Sequence, residues 1–274
     1  MKIFKNKNNQ IKNSWWVVIF FLVLASVTLP VIFISQHFKW EITMVHQAVI
    51  VVAVNFFCQF LRKKSFTEIT GTINKSWFKK LFQGIVLGSL LMILPALTLY
   101  TFGFVEWSNL NFNGKALLAT SLVTIGVAVA EEFLFRGFLF QCLKNWIGIW
   151  GAQLLIASYF LLTHINNPGM TGNIKIMASI NIFLASIMFG IALTKSKSIA
   201  MPIGIHFAAN WVQGILLGFG VSGHADYSIL KANINNSNVW LTGGSFGLEA
   251  SLPGLIFVLI TVFFLNKQQS IKSN

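Results

Sequence analysis

The segment AEEFLFRG places Glu131, Glu132 and Arg136 inside an apolar stretch of a chain with only seven Asp and Glu among its 274 residues. An ionisable group deep in a membrane span costs about 2.5–3.5 kcal/mol on insertion scales, so such groups tend to face inward and to be paired. The same criterion singles out His164 in FLLTHINNPG, and His206 with Asn210 in GIHFAAN. These six side chains are the candidates for chemistry.

Their spacing assigns them different work. Glu132 and Arg136 are four apart on one helix face, with the acid first, the better order for pairing. Glu131 is rotated by about 100° from Glu132 and is left as the odd carboxylate. A carboxylate in a dry site without its own cation suits a proton acceptor. His206 and Asn210 also project from one face, and an imidazole beside an amide can hold a developing oxyanion. Counted along the helices from their inner ends, Glu131, His164, His206 and Asn210 lie at compatible depths.

Plainer readings exist for each. Glu132 and Arg136 could be a purely structural pair. His206 and Asn210 could be interhelical hydrogen-bonding groups, and His164 could be interfacial. The combination of a Glu, two His and an Asn from three segments favours a common site. His37, His46 and His224 fall in or near outer loops and receive no role.

The elements that must position these residues follow from composition. The chain is 55% hydrophobic and 10% charged, with a mean hydropathy of +0.71. A soluble domain carries about 25% charged residues. The fold class expected is therefore all-α, a single polytopic membrane helical bundle over residues 1–274. Spans are expected at 15–35, 43–61, 81–103, 116–142, 149–165, 176–194, 199–219 and 251–265. The first is too long for the apolar region of a signal peptide and reads as uncleaved. Eight spans put both termini on one side.

Charge supports that count. With cytoplasmic termini, fifteen of the twenty Lys and Arg fall in inner segments, four (Lys39, Lys115, Lys175, Lys231) in outer ones, and Arg136 within a span. This is the asymmetry of the positive-inside rule. The net charge of +13 is thus a topology signal rather than a nucleic-acid footprint, because the basic residues cluster at span ends. Cys58 and Cys142 lack partners at metal or disulfide spacing and read as buried hydrophobes. The partners expected are membrane lipid and a membrane-associated protein or peptide, in a multi-pass protein of the cell membrane. The segment 66–80 is basic and amphipathic and is expected along the inner interface. The outer segment 220–250 is the longest loop and ends in LTGGSFGLEAS.

EEFLFRG, FLLTH and HFAAN, in that order, resemble the three motifs of the CPBP (Abi) family, EExxxR, FxxxH and HxxxN. These are intramembrane proteases related to the eukaryotic CAAX prenyl endopeptidase, the Ras-converting enzyme. The resemblance covers about residues 115–220, which would form the catalytic core. It implies an eight-helix bundle with a polar cavity and endoproteolysis of membrane-associated substrates, in CAAX-type or peptide and bacteriocin maturation. It also implies that Glu131 and His164 activate water, that His206 and Asn210 stabilise the oxyanion, and that Glu132 and Arg136 brace the site. The family was long labelled a metalloprotease, and Glu131, His164 and His206 could form a His2Glu zinc site. The chain has no HExxH helix, and activation without a metal or other cofactor is the favoured expectation.

Two rival classes stay open. A non-proteolytic scaffold or bacteriocin self-immunity protein would use the same fold to bind a partner. A proton-coupled transporter would use the carboxylate as a relay, but the chain lacks evident paired, Gly- or Pro-interrupted spans.

Overall fold

A computed structural model describes residues 3–108, 110–235 and 238–267, so Lys2 and Lys272 of the charge count lie outside the described residues. Helix α1 (Asn13–Phe38) contains Pro30 and ends where Lys39 turns left-handed. Helix α2 (Met44–Leu61) opens with Thr43 and His46 capping each other, which gives His46 a structural task. After a four-residue turn α3 (Thr67–Thr70), Asn74 caps α4 (Lys75–Thr101) by accepting from the Trp77 amide. The segment expected at the interface is thus split: its second half, from Lys75, is the first part of α4.

A short strand β1 (Val105–Ser108) precedes α5 (Gly114–Arg136), whose first turn is capped by the Asn113 side chain. The expected fourth span, 116–142, is not one helix. It breaks at Gly137, because Asn55 of α2 inserts its carboxamide there. Asn55 Oδ1 accepts from the Phe138 amide at 2.7 Å, and a Cβ on residue 137 would collide with the same atom. The helix α6 (Phe138–His164) starts from that cap and is itself broken at Gly148, with φ 78° and ψ 172°. Its second half carries His164 at the last position. Helix α7 (Gly172–Ser196) follows. Helix α8 (Ala200–Asn210) then continues as a π-helical turn, Trp211–Leu216.

The outer segment after α8 is more structured than a long loop. Strand β2 (Lys231–Ile234) pairs antiparallel with β1, Val105 facing Ile234. A single turn α9 (Val239–Thr242) and two 3-10 turns lead into α10 (Leu252–Lys267). Outside this small ribbon, the described architecture is the all-α bundle that composition called for.

Among the described residues, five helical stretches are long and apolar enough to cross a membrane: Asn13–Phe38, Met44–Leu61, Thr67–Thr101, Gly114–His164 and Gly172–Ser196. The fourth is the broken pair α5–α6, read in the sequence as two spans. The α8 unit and the 16-residue α10 are shorter.

Two apolar clusters hold the bundle. One gathers Phe20, Cys58, Phe138 and Ile156 around α1, α2 and α6. The other gathers Leu91, Phe189, Ile205 and Val258 around α4, α7, α8 and α10. Helices α4 and α8 touch backbone to backbone, since a Cβ at Gly84 or Gly88 would strike the carbonyls of Met201 and Ile205, and one at Gly204 that of Leu81. Small residues permit such approach in membrane bundles. The Gly84-x-x-x-Gly88 spacing, uninformative as sequence, is the seam that seats α8. Cys58 and Cys142 are free and buried.

Candidate active site

The break at Gly137 leaves Arg136 at the last turn of α5 with no exposed surface. Its guanidinium reaches Glu132 Oε1 at 3.3 Å, the Ser186 hydroxyl at 2.7 Å and the Ser186 carbonyl at 3.1 Å. Three rings surround it, with Phe160 at 5.0 Å, Phe189 at 5.1 Å and Phe135 at 5.6 Å. Cation–π contacts of this kind strengthen when desolvated. The rings come from both apolar clusters, so the arginine joins the two halves of the bundle.

Glu132 does more than pair within its helix. Its Oε1 also holds His206 Nδ1 at 2.8 Å, and the carboxylate is fully buried. Phe189 lies flat against the His206 ring, 5.2 Å away and 12° from parallel. The imidazole is therefore fixed in both position and tilt, and an ionised Glu132 requires a proton on Nδ1. Its Nε2 faces Glu131.

Glu131 stands between two imidazoles. Its Oε2 is 3.7 Å from His206 Nε2 and 4.0 Å from His164 Nε2. The same oxygen is buried and has no hydrogen-bond partner among the described residues. His164 Nδ1 lies 2.7 Å from the Phe160 carbonyl, which can only accept, so Nδ1 carries the proton and Nε2 of the neutral ring offers a lone pair to the site. Thr163 Oγ1 adds a contact at 3.2 Å. The two histidines are thus prepared differently, one by a carboxylate and one by a backbone carbonyl.

All of this opens onto one cavity of about 490 Å3 whose lining includes Glu131, His164, His206 and Asn210. Three segments, α5, the end of α6 and α8, converge there, and the π-helical turn begins directly after Asn210. Glu132 and Arg136 lie behind the wall.

A further acid in the lining, Glu249, belongs to the LTGGSFGLEAS segment. It lies in the 3-10 turn before α10 and accepts from the Ser222 amide at 3.1 Å and hydroxyl at 2.7 Å. Burial pushes its carboxyl above the ordinary range, opposed chiefly by the Ser222 hydrogen bonds. Its rarity as one of seven acids was the available signal. Ser186 and Phe189 gave none, since a serine and a phenylalanine in an apolar helix are unremarked without their neighbours.

Zinc can be tested against these groups. Among the described residues no set of three His, Cys, Asp or Glu side chains is placed to hold a metal ion. Glu131 Oε2 faces the Nε2 atoms of His164 and His206, and each Nδ1 is held by the Phe160 carbonyl or by Glu132, the outer hydrogen bonds that also orient metal-bound imidazoles. In donor type these three residues could hold a zinc ion, which would supply Lewis-acid activation of a water.

Residues 113–212 match the family described as Rce1-like, type II CAAX prenyl endopeptidase Rce1-like. That segment is Rce1-like. It runs from the cap of α5 to the start of the π-helical turn and contains all six candidate residues. The family is one of proteases, and the match supports a membrane-protease kind of function. A search of the curated proteins finds no match.

Proposed function

We propose that the protein is an intramembrane endopeptidase that hydrolyses peptide bonds of membrane-associated substrates, with Glu131 as the general base. The observation that carries this reading is the buried, unpartnered Glu131 Oε2 between the Nε2 atoms of His164 and His206. Distances of 3.7 and 4.0 Å exceed direct hydrogen bonds and are of the order a bridging water spans. A water there would give its proton to Glu131, with His164 Nε2 accepting its second hydrogen bond, and its oxygen would attack the peptide carbonyl carbon.

The resulting oxyanion needs donors. His206 gives Nδ1–H to Glu132 and, with a proton on Nε2 as well, would give Nε2–H to the oxyanion. Asn210, one turn on, supplies its amide. Collapse of the intermediate breaks the C–N bond, and the proton held by Glu131 passes to the leaving amine. Glu132 orients His206, and Arg136 keeps Glu132 ionised and in place. Neither touches the reacting atoms in this scheme.

The substrates fitting this proposal are CAAX-type proteins or peptide and bacteriocin precursors. The protein would reside in the cell membrane as a multi-pass bundle with cytoplasmic termini. The test is cleavage of fluorogenic membrane peptides by the purified protein in detergent, with and without a chelator. Cleavage in the wild type that resists chelation and vanishes in Glu131→Gln is the expected result. Full activity of Glu131→Gln would overturn the assignment of the base, and loss on chelation with recovery on zinc would overturn the metal-free step. Protection against a bacteriocin that persists in Glu131→Gln would favour the immunity reading instead.

A further inference from the structure

Contacts between residues distant in the chain mark two different ends of the bundle. At one end Ser198 donates to the Thr70 carbonyl and Lys195 to the Asn266 carbonyl, both at 3.3 Å. These tie the turn before α4 to the turn before α8, and the last turn of α7 to that of α10. The basic segments 62–64, 75–80 and 195–197 gather at this end. At the other end β1 pairs with β2, and Asn167 donates to the Ser222 carbonyl at 3.2 Å.

The cavity belongs to the second end alone. Helix α4 lines it from Leu91 onward and gives nothing from the turns beside its lysines. Helix α5 lines it from Thr120 as far as Glu131, and α7 reaches no nearer the basic end than Phe189. Helix α8 joins the lining only from Ile205, and the loop residues in the wall all come from the second end. Beneath the catalytic groups, Glu132, Arg136 and Phe138 have no exposed surface. The floor is thus sealed toward the basic end. The rim has two characters. Val123 and Thr163 are exposed lining residues on apolar helices, whereas His224 and Asp226 are exposed lining residues on a loop. One side of the mouth meets lipid and the other meets water.

We propose that the cavity opens to the extracytoplasmic side, at the edge of the outer leaflet, and that its substrate is a membrane-anchored peptide segment presented there. The basic end is the cytoplasmic one by the positive-inside rule, and the mouth lies opposite. A tail held on the cytoplasmic face would have to pass the sealed floor to reach Glu131. Among peptide precursors this selects exported ones. It rests on the endopeptidase reading, but the side of the mouth is measurable without cleavage.

Val127 lines the cavity one helical turn outward from Glu131 and takes no part in the proposed chemistry. Intact cells carrying Val127→Cys are treated with a small, membrane-impermeant cationic methanethiosulfonate, which reacts with thiolates in water. Val127→Cys should label as fully as Lys39→Cys, with no gain on permeabilisation, while Lys197→Cys labels only after it. The unsubstituted protein gives the background, since Cys58 and Cys142 are buried. Val221→Cys, in the loop wall of the same cavity, takes over if Val127→Cys does not reach the membrane. Labelling of the cavity cysteine only after permeabilisation, or in neither state, overturns the proposal. So does reversed sidedness of Lys39→Cys and Lys197→Cys. A second arm fuses the peptide cut best in detergent to the outer or the inner flank of a single-span anchor. Cleavage of the outer reporter alone is expected, and cleavage of the inner reporter, or of neither, overturns the proposal. Cleavage in detergent is blind to sides. Together with labelling from the inner side it leaves the endopeptidase standing and sinks this inference, whereas outer labelling without any cleavage keeps the mouth and sinks the endopeptidase.

Discussion

Two adjacent glutamates separate by what each can reach. Glu131 Oε2 faces the two imidazole Nε2 atoms, so Glu131→Gln removes the base while keeping the shape. Cleavage should fall at least about a hundredfold, the lower end of general-base contributions, with the melting temperature in detergent nearly unchanged. Glu132→Gln acts elsewhere. It strips the buried Arg136 of its counter-charge and leaves His206 Nδ1 at best a neutral amide oxygen in place of a carboxylate. Breaking a buried pair from one side costs about 3–5 kcal/mol, so this variant should lose stability and activity together in a denaturation assay. A Glu132→Gln protein as stable as wild type would show that the pair does not brace the bundle. The inequality of the two acids was legible from the four-residue spacing to Arg136. The second partner of Glu132 was not, because it sits 74 residues away on another helix.

At the scale of elements, the site depends on where α5 stops and how close α8 comes. Neither can be read from hydropathy. The run from α5 into α6 shows no break in its apolar residues at Gly137, and the helix is ended by Asn55, 83 residues distant, whose carboxamide takes over the Phe138 amide. Apolar runs therefore located the helices but put the break between α5 and α6 after residue 142 instead of at Gly137. The α4–α8 seam predicts a sharp effect from a small change. Gly88→Ala places a methyl group against the Ile205 carbonyl, next to His206 in the chain. Overpacking of this kind costs about 1–3 kcal/mol. The expected outcome is a lower melting temperature and a drop in turnover greater than stability alone explains, because displacing α8 moves His206 from Glu131 and Glu132. Gly114→Ala, where no atom lies within reach of the added carbon and the backbone is not left-handed, serves as a control for steric clash. Equal turnover in Gly88→Ala and Gly114→Ala would separate the seam from the chemistry.

For the whole molecule, the distribution of its basic residues sets its orientation. Basic residues crowd one end of the helices, and these ends are proposed to be cytoplasmic. Composition made the bundle legible because helices this apolar would leave too much apolar surface facing water outside a membrane. The cavity escaped the sequence because its walls come from helices distant in the chain. Orientation can be measured with little background, since the two native cysteines have no exposed surface. Lys39, Lys63, Lys197 and Lys231 are all exposed, and each can be replaced singly by cysteine. A membrane-impermeant maleimide applied to intact cells should label Lys39→Cys and Lys231→Cys. It should label Lys63→Cys and Lys197→Cys only after permeabilisation. Labelling of Lys63→Cys from outside with protection of Lys39→Cys would invert the topology. Lys39→Cys labelled and Lys231→Cys protected would mean an odd number of crossings between them. The eight-crossing count would then fall, and the ribbon that Lys231 helps form with Val105–Ser108 would have to lie on the inner side.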